Sequence, residues 1–319
     1  MKNSRKMFIL TEGILAILAV IAAFVMFQER NGQERPKVSV IIRDSDASRW
    51  SAFKYGLEMA AEDMDVEMFV VSTGEQMTLE EEEELIEREL NDGVDAMIIQ
   101  PVSGAQSKEI LEQAGKKVPL MLVEQRASSG GKGLPVTEPD HFAMGKTLAS
   151  ELLKDYDGNL LGKTLGIVWS EENSEAARQR AEGFQSELEG EGARVLWTLC
   201  EESAKVPLED QPEADVIVAL DDKSFVRAGN ASESHTLHGA VVYGIGNSTE
   251  AVYCLDFGSA ECLIVPDEFS VGYESLRTVA ESFRFFSGEM EGKKVSHTVM
   301  RRENIFTKEN QEILFTMNQ

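Results

Sequence analysis

The residues able to do chemistry are thinly spread along this chain. His141, His235, His238 and His297 stand apart, without the H-E-x-x-H pair that holds zinc or the G-x-S-x-G turn that exposes a nucleophilic serine. His235 and His238 are three apart, but no carboxylate or Cys follows them at ligand spacing. Gly244-Ile245-Gly246 supplies the first two glycines of a dinucleotide turn, yet Thr249 stands where the third would fall. Cys200, Cys254 and Cys262 show neither C-x-x-C nor Cys/His spacing. Cys254 and Cys262 could pair in an oxidising compartment, although a core of this size needs no staple. The expectation is a chain with no catalytic set, no metal and no cofactor: a binder rather than an enzyme.

Charge narrows the partners. The 319 residues carry a net charge of −25. The first 35 hold five Lys/Arg against three Asp/Glu, which leaves 26 basic and 53 acidic residues for the rest. Such a surface repels nucleic acid and anionic lipid. The run Glu80–Glu84 follows Thr78, with Glu81 at capping-box spacing, and reads as a solvated helix start whose carboxylates suit the helix dipole.

The N-terminal segment sets the compartment. Met7–Phe27 is a run of 21 mostly apolar residues, long enough at about 1.5 Å per residue to cross a hydrocarbon core of ~30 Å. Lys2, Arg5 and Lys6 precede it and favour a cytoplasmic N-terminus. A cleaved signal would need a small-residue site, but QERNGQERP follows Phe27. A lipoprotein signal would need a Cys at its end, and the first is Cys200. The reading is an uncleaved signal anchor, a single-pass attachment to the cell membrane with the main domain extracytoplasmic.

Beyond it, strand-like and helix-like patterns alternate. VSVII (Val38–Ile42), AMIIQP (Ala96–Pro101), PLMLVE (Pro119–Glu124), TLGIVW (Thr164–Trp169), ADVIVAL (Ala214–Leu220) and CLIVP (Cys262–Pro266) are near-continuous apolar runs, each followed by a helical stretch. Runs of this kind are buried on both faces and imply parallel, doubly wound α/β sheets. With VEMFVV (Val66–Val71), RVLWTL (Arg194–Leu199), AVVYGIG (Ala240–Gly246) and VSHTVM (Val295–Met300) there are ten strand-like runs, too many for one sheet of common size, which favours two lobes. The rhythm breaks between Leu199 and Asp215, where no apolar face at helical spacing is visible and a crossover helix is shortened or lost.

Several turns carry a resemblance. DSDASRWSAFKYGLEMAAED (Asp44–Asp63), NDGVDAMIIQPVSG (Asn91–Gly104), VPLMLVEQR (Val118–Arg126), VTEPDHFAMGKTLASELL (Val136–Leu153), the A-x-x-R-x-x-G-F pattern within Leu165–Leu188, VIVALDD (Val216–Asp222), VVYGIGNSTEAV (Val241–Val252) and SVGYESL (Ser270–Leu276) follow in order. Together they resemble the type I periplasmic sugar-binding proteins over residues 37–304. The resemblance implies two parallel-sheet lobes joined by three crossings: 37–139 with 267–293, and 140–266 with 294–319, after an anchor and linker in 1–36. It places ligand contacts at Trp50, Gln125, Asp140, Arg178 and Asp221, an aromatic for a sugar's apolar face and charged or amide groups for its hydroxyls. It implies a sugar-like small molecule, handed to an ABC permease or signalled to a sensor histidine kinase. Three positions depart from the pattern: Glu124-Gln125 replaces Asp-Arg, Gly246 stands where a ligand carboxylate is usual, and Pro266 stands where a hinge Gln is usual. These departures imply either a different ligand or a module of the same fold whose pocket no longer binds. The related repressors share the fold, but no helix-turn-helix precedes Val38.

Overall fold

The computed structural model describes residues 35–74, 76–102, 106–124, 133–172, 174–284 and 290–317. The Met7–Phe27 segment lies outside them. No helix among the described residues is long and apolar enough to cross a membrane.

Lys37–Gln319 forms one compact unit built on two six-stranded sheets. The first contains β1 (Lys37–Ile41), β2 (Glu67–Val70), β3 (Ala96–Ile99), β4 (Leu120–Val123), β5 (Val136–Pro139) and β11 (Lys294–Val295), in the order β11-β5-β4-β3-β1-β2, all parallel. The second contains β6 (Thr164–Trp169), β7 (Arg194–Cys200), β8 (Val216–Ala219), β9 (Val241–Ile245), β10 (Cys262–Pro266) and β12 (His297–Met300), in the order β12-β10-β9-β8-β6-β7. Only β12 runs antiparallel to its neighbour there. Strands β3, β4, β8 and β10 are buried at every residue because helices cover both faces of each sheet.

In the first lobe α1 (Ser51–Met64) packs on α8 (Glu268–Arg284), and α2 (Leu79–Asn91) and α3 (Lys108–Gly115) border the other side's core. In the second lobe α4 (His141–Asp155) packs on α5 (Glu175–Glu187), with α6 (Asp222–Glu233) and α7 (Thr249–Phe257) opposite. Both helix pairs meet through glycine. A Cβ on Gly56 would overlap the carbonyl of Phe269, and one on Gly272 that of Phe53. In the second lobe Gly145 and Gly183 stand in the same relation to Arg180 and Phe142.

The broken stretch after β7 has a structural counterpart. Only a short 3-10 turn, Leu208–Asp210, links β7 to β8 where another crossover would carry a helix. The β6–β7 register slips so that Val195 faces Leu165 but Trp197 faces Gly166, leaving Leu196 as an extra residue. The Trp197 ring fills the space a side chain at position 166 would need, and its indole N–H donates to the Pro212 carbonyl at 2.8 Å.

The chain changes sheet three times: between β5 and α4 at Asp140, between β10 and α8 at Asp267, and between β11 and β12 at Ser296. The third change was expected before 294. It falls later because β11 pairs with β5 in the first sheet. The apolar run 295–300 is therefore two strands in different sheets. Backbone bonds from Asp140 to Val295 (3.1 Å) and from Asp267 to Ser296 (3.2 Å) tie the crossings side by side. The last helix, α9 (Lys308–Met317), lays Ile313 and Leu314 on the second lobe's core and brings Phe315 to 6.3 Å from Tyr55 of the first lobe.

Candidate functional site

The turns that end the strands of both sheets face one cleft, the usual ligand position in open α/β sheets. In the first lobe the turn after β1 carries Arg43 and Arg49. Gln100 follows β3 and Glu124 follows β4. Gln100 joins these turns: its Oε1 accepts from the Arg43 backbone N–H at 2.9 Å and its amide donates to the Glu124 carboxylate. Glu124 holds φ +61°, a left-handed conformation rare outside glycine, which marks a tightly specified turn. Gln100 had gone unnoticed in sequence because an amide at a strand's end carries no spacing signal.

Trp50 does not line the cleft. It is 1% exposed and belongs to the first lobe's core. Its indole N–H donates to the Arg43 carbonyl at 2.9 Å, its ring meets Phe53 edge-on at 5.3 Å, and the Arg49 guanidinium sits 4.8 Å above it. The 3-10 turn Ser48–Trp50 ahead of α1 rotates the indole inward.

Arg178 is also displaced from the expected position. It lies exposed on α5, bonded to Glu175 (2.8 Å from Nε) and paired with Glu182. The A-x-x-R-x-x-G-F pattern running from Ala177 to Phe184 has its arginine at 180, and Arg180 is the one that points inward. Arg180 Nη1 donates to the Leu220 carbonyl at 2.7 Å and its Nε faces His141 Nδ1 at 3.3 Å. Burial lowers its pKa, while the charges of Asp221, Glu268, Glu124 and Asp222 act in the opposite sense.

Asp140 and Asp221 both stand at the cleft's edge but as helix caps. Asp140 accepts from Ala143 N–H at 3.2 Å at the start of α4 and pairs with Lys294 at 3.0 Å. Burial pushes its pKa up, but the Lys294 and Ala143 bonds outweigh this and hold it below the usual carboxylate range. Asp221 closes a capping box on α6 with Ser224, and its second oxygen accepts the Ser170 N–H at 2.7 Å. Its neighbour Asp222 accepts the N–H groups of Asn247 and Ser248, each at 2.8 Å, and so shapes the turn after β9. Gln125 lies outside the described residues.

Two features link the lobes. Arg43 of the first lobe reaches Glu171 of the second at 3.2 Å, the pair being partly exposed. At the hinge, Glu268 is 6% exposed, and its Oε2 accepts no hydrogen bond from the described residues. Burial pushes this carboxyl up to about 8, with Glu124 and Asp267 adding to the rise and Arg180 and Arg49 opposing it. The cleft thus offers guanidinium donors, carboxylate acceptors and amides, a set suited to ligands with many hydroxyls.

The chain's likenesses agree with this geometry. No curated protein matches its sequence. The glucose-galactose binding protein GanP of Geobacillus stearothermophilus superposes with a TM-score of 0.73 at 16% identity, covering 86% of this chain and 100% of GanP. A carbohydrate transporter solute-binding protein of Agrobacterium radiobacter, in complex with D-arabinose, gives 0.74 at 17%, covering 88% and 99%. The XylFII-LytSN complex gives 0.70 at 14%, covering 84% and 98%. At these identities the likeness shows the two-lobed fold. The model of the periplasmic binding protein domain family matches residues 38–284, and this chain belongs to that family.

Proposed function

We propose that this chain is an extracytoplasmic solute-binding protein for a sugar or sugar-like ligand, tethered by Met7–Phe27 and serving an ABC permease or a membrane sensor kinase. The observation that carries the reading is the cleft, where Arg180 of α5, Gln100 and Glu124 at strand ends, and Glu268 at the start of α8 converge beside the three crossings. Hydroxyl-rich ligands need this mixture of charged donors and acceptors. The printed names of GanP and the D-arabinose complex support the ligand class. A fixed tether without a lipobox suits a stationary complex and so favours the sensor, and the XylFII-LytSN complex is a neighbour of this fold that associates with a second protein.

A second reading is the same fold with a non-binding pocket. Asp221 spends both oxygens on backbone amides, and Asp140 is held by Lys294 and its own helix. A thermal-shift panel of sugars, polyols and nucleosides on the purified full chain separates the two. A true ligand at a hundredfold excess over its Kd stabilises by about 2.7 kcal/mol. No shift across the panel supports the non-binding module.

A further inference from the structure

A cavity of about 350 Å³ opens beside the hinge, between the first turn of α1, the start of α8 and the terminal helix α9. Its size is at the lower end for small-molecule sites. Charge sets it apart. Asp267, Glu268, Glu309 and Glu312 line it, and Arg49 is the one cationic side chain among its described lining residues. Asp267 is occupied by Ser270, and Glu309 and Glu312 stand exposed at the rim. Arg49 is held over the Trp50 ring and against the Arg43 carbonyl. Glu268 is different: buried, at the inner hinge end, with one oxygen that nothing described satisfies. A buried polar oxygen without a partner costs about 1–3 kcal/mol, so a molecule that supplied the partner would recover it. Beside it, Tyr55 and Phe269 pack with centroids 5.6 Å apart and line the same cavity, and aromatic faces attract ammonium groups.

We infer that the ligand of this site carries a protonated amine as well as hydroxyls, an amino sugar in class, and that Glu268 is the group that receives the ammonium. The inference rests on the sugar-like reading above and narrows it. The hydroxyls meet Glu124 and Arg180, with Gln100 buried behind them and spent on Arg43 and Glu124, and the amine enters the acidic hinge end.

Calorimetry on the full chain at pH 7 tests it, with D-glucosamine, D-glucose, N-acetyl-D-glucosamine, D-galactosamine and D-galactose as probes. Glu268 keeps its proton in the empty site at pH 7 and gives it to solvent as the ammonium docks. The amino sugars are therefore expected to bind about tenfold tighter than their neutral counterparts, the charge-assisted bond less the cost of ionisation, with a proton released that buffers of different ionisation enthalpy report. In Glu268→Gln, which keeps the side chain's shape, the ratio of amino-sugar to neutral-sugar affinity falls to within about threefold of one. A thermal melt of the variant confirms that it folds, and Glu80→Gln, exposed on α2 and outside the cavity, serves as a control that keeps the preference. Equal binding of neutral and amino sugars overturns the inference and leaves the sugar-binding reading intact. So does a preference that survives Glu268→Gln. Binding of no sugar of either kind overturns both.

Discussion

The two lobes share one construction on one sheet face and differ on the other. In each, the helix after the first strand of its sheet packs against a partner through facing glycines, Gly56 with Gly272 and Gly145 with Gly183. Those contacts seat α1, which follows the turn that carries Arg49, and α5, which carries Arg180. On the other face the first lobe spans β2 to β3 with α2, a 13-residue helix capped by Thr78 and Glu81. The second lobe spans β7 to β8 with a three-residue 3-10 turn and the Trp197 ring. The paired helices seat turns that carry the site, whereas the crossover needs only to cover apolar sheet.

Glycine-to-alanine changes give the sharpest test of that contrast. A Cβ at Gly56 or Gly145 strikes backbone rather than a yielding side chain, so the helices must separate. Each change is expected to cost about 3 kcal/mol or more in urea unfolding and to weaken ligand binding as well. If either is neutral, the close approach does not govern the lobe.

The hinge gives the next effect, through pH. Glu268 holds its proton up to about 8 in the folded chain, against an ordinary 4.5. Between those values the unfolded chain has shed a proton that the folded chain keeps, so stability falls as pH rises from 4.5 to 8 and then levels. Glu124 and Asp267 strengthen this trend, and Arg180 and Arg49 weaken it. His297 acts oppositely: burial lowers its pKa, so stability is lost as pH falls through 6.5. The difference between the wild-type chain and Glu268→Gln isolates the carboxyl. It is expected to change by on the order of 2 kcal/mol between pH 5 and 9. A flat difference shows that Glu268 titrates normally.

Trp197→Ala follows. It uncovers Gly166 and frees the Pro212 carbonyl, at an expected cost of about 1–2 kcal/mol because the ring is only partly buried. Ligand affinity is expected to hold, since the crossover only covers apolar sheet. An affinity loss as large as that of Gly145→Ala would erase the distinction between the two faces.

The legibility of the chain followed the same division. Strands β3, β4, β8 and β10 are buried on both faces and read directly as apolar runs. The hinge strands were hidden. VTEP is short and polar, and the run from Val295 reads as one strand although it changes sheet at Ser296. The acidic run after Thr78 reads as solvated, and its capping box is present. Yet Glu82 is fully buried, accepting the Val102 N–H at 3.0 Å and the Ser107 hydroxyl, with burial raising its pKa. Composition cannot show which carboxylate of five turns inward. The resemblance places Trp50 in the cleft, but Trp50 ends a 3-10 turn ahead of α1 and is buried in the core.

Arg178 carries the smallest expected effect and, set beside Arg180 on α5, the clearest reading. Two residues along a helix is a rotation of about 200°, so Arg178 and Arg180 must point to nearly opposite sides. Arg178 meets Glu175 and Glu182 in water, where such pairs contribute little. Arg180 meets the Leu220 carbonyl and His141 and stands among the carboxylates of Asp221, Glu268 and Glu124. Removing Arg180 deprives buried carboxylates of their cation and is expected to weaken sugar binding about ten- to a hundredfold. Arg178→Ala is expected to change stability by no more than about 0.5 kcal/mol and to leave affinity unchanged. The pair is best measured together, by calorimetry with the tightest sugar of the panel. If Arg178→Ala loses affinity while Arg180→Ala keeps it, the helix faces the cleft with its other side and the arrangement of the second lobe's site is wrong.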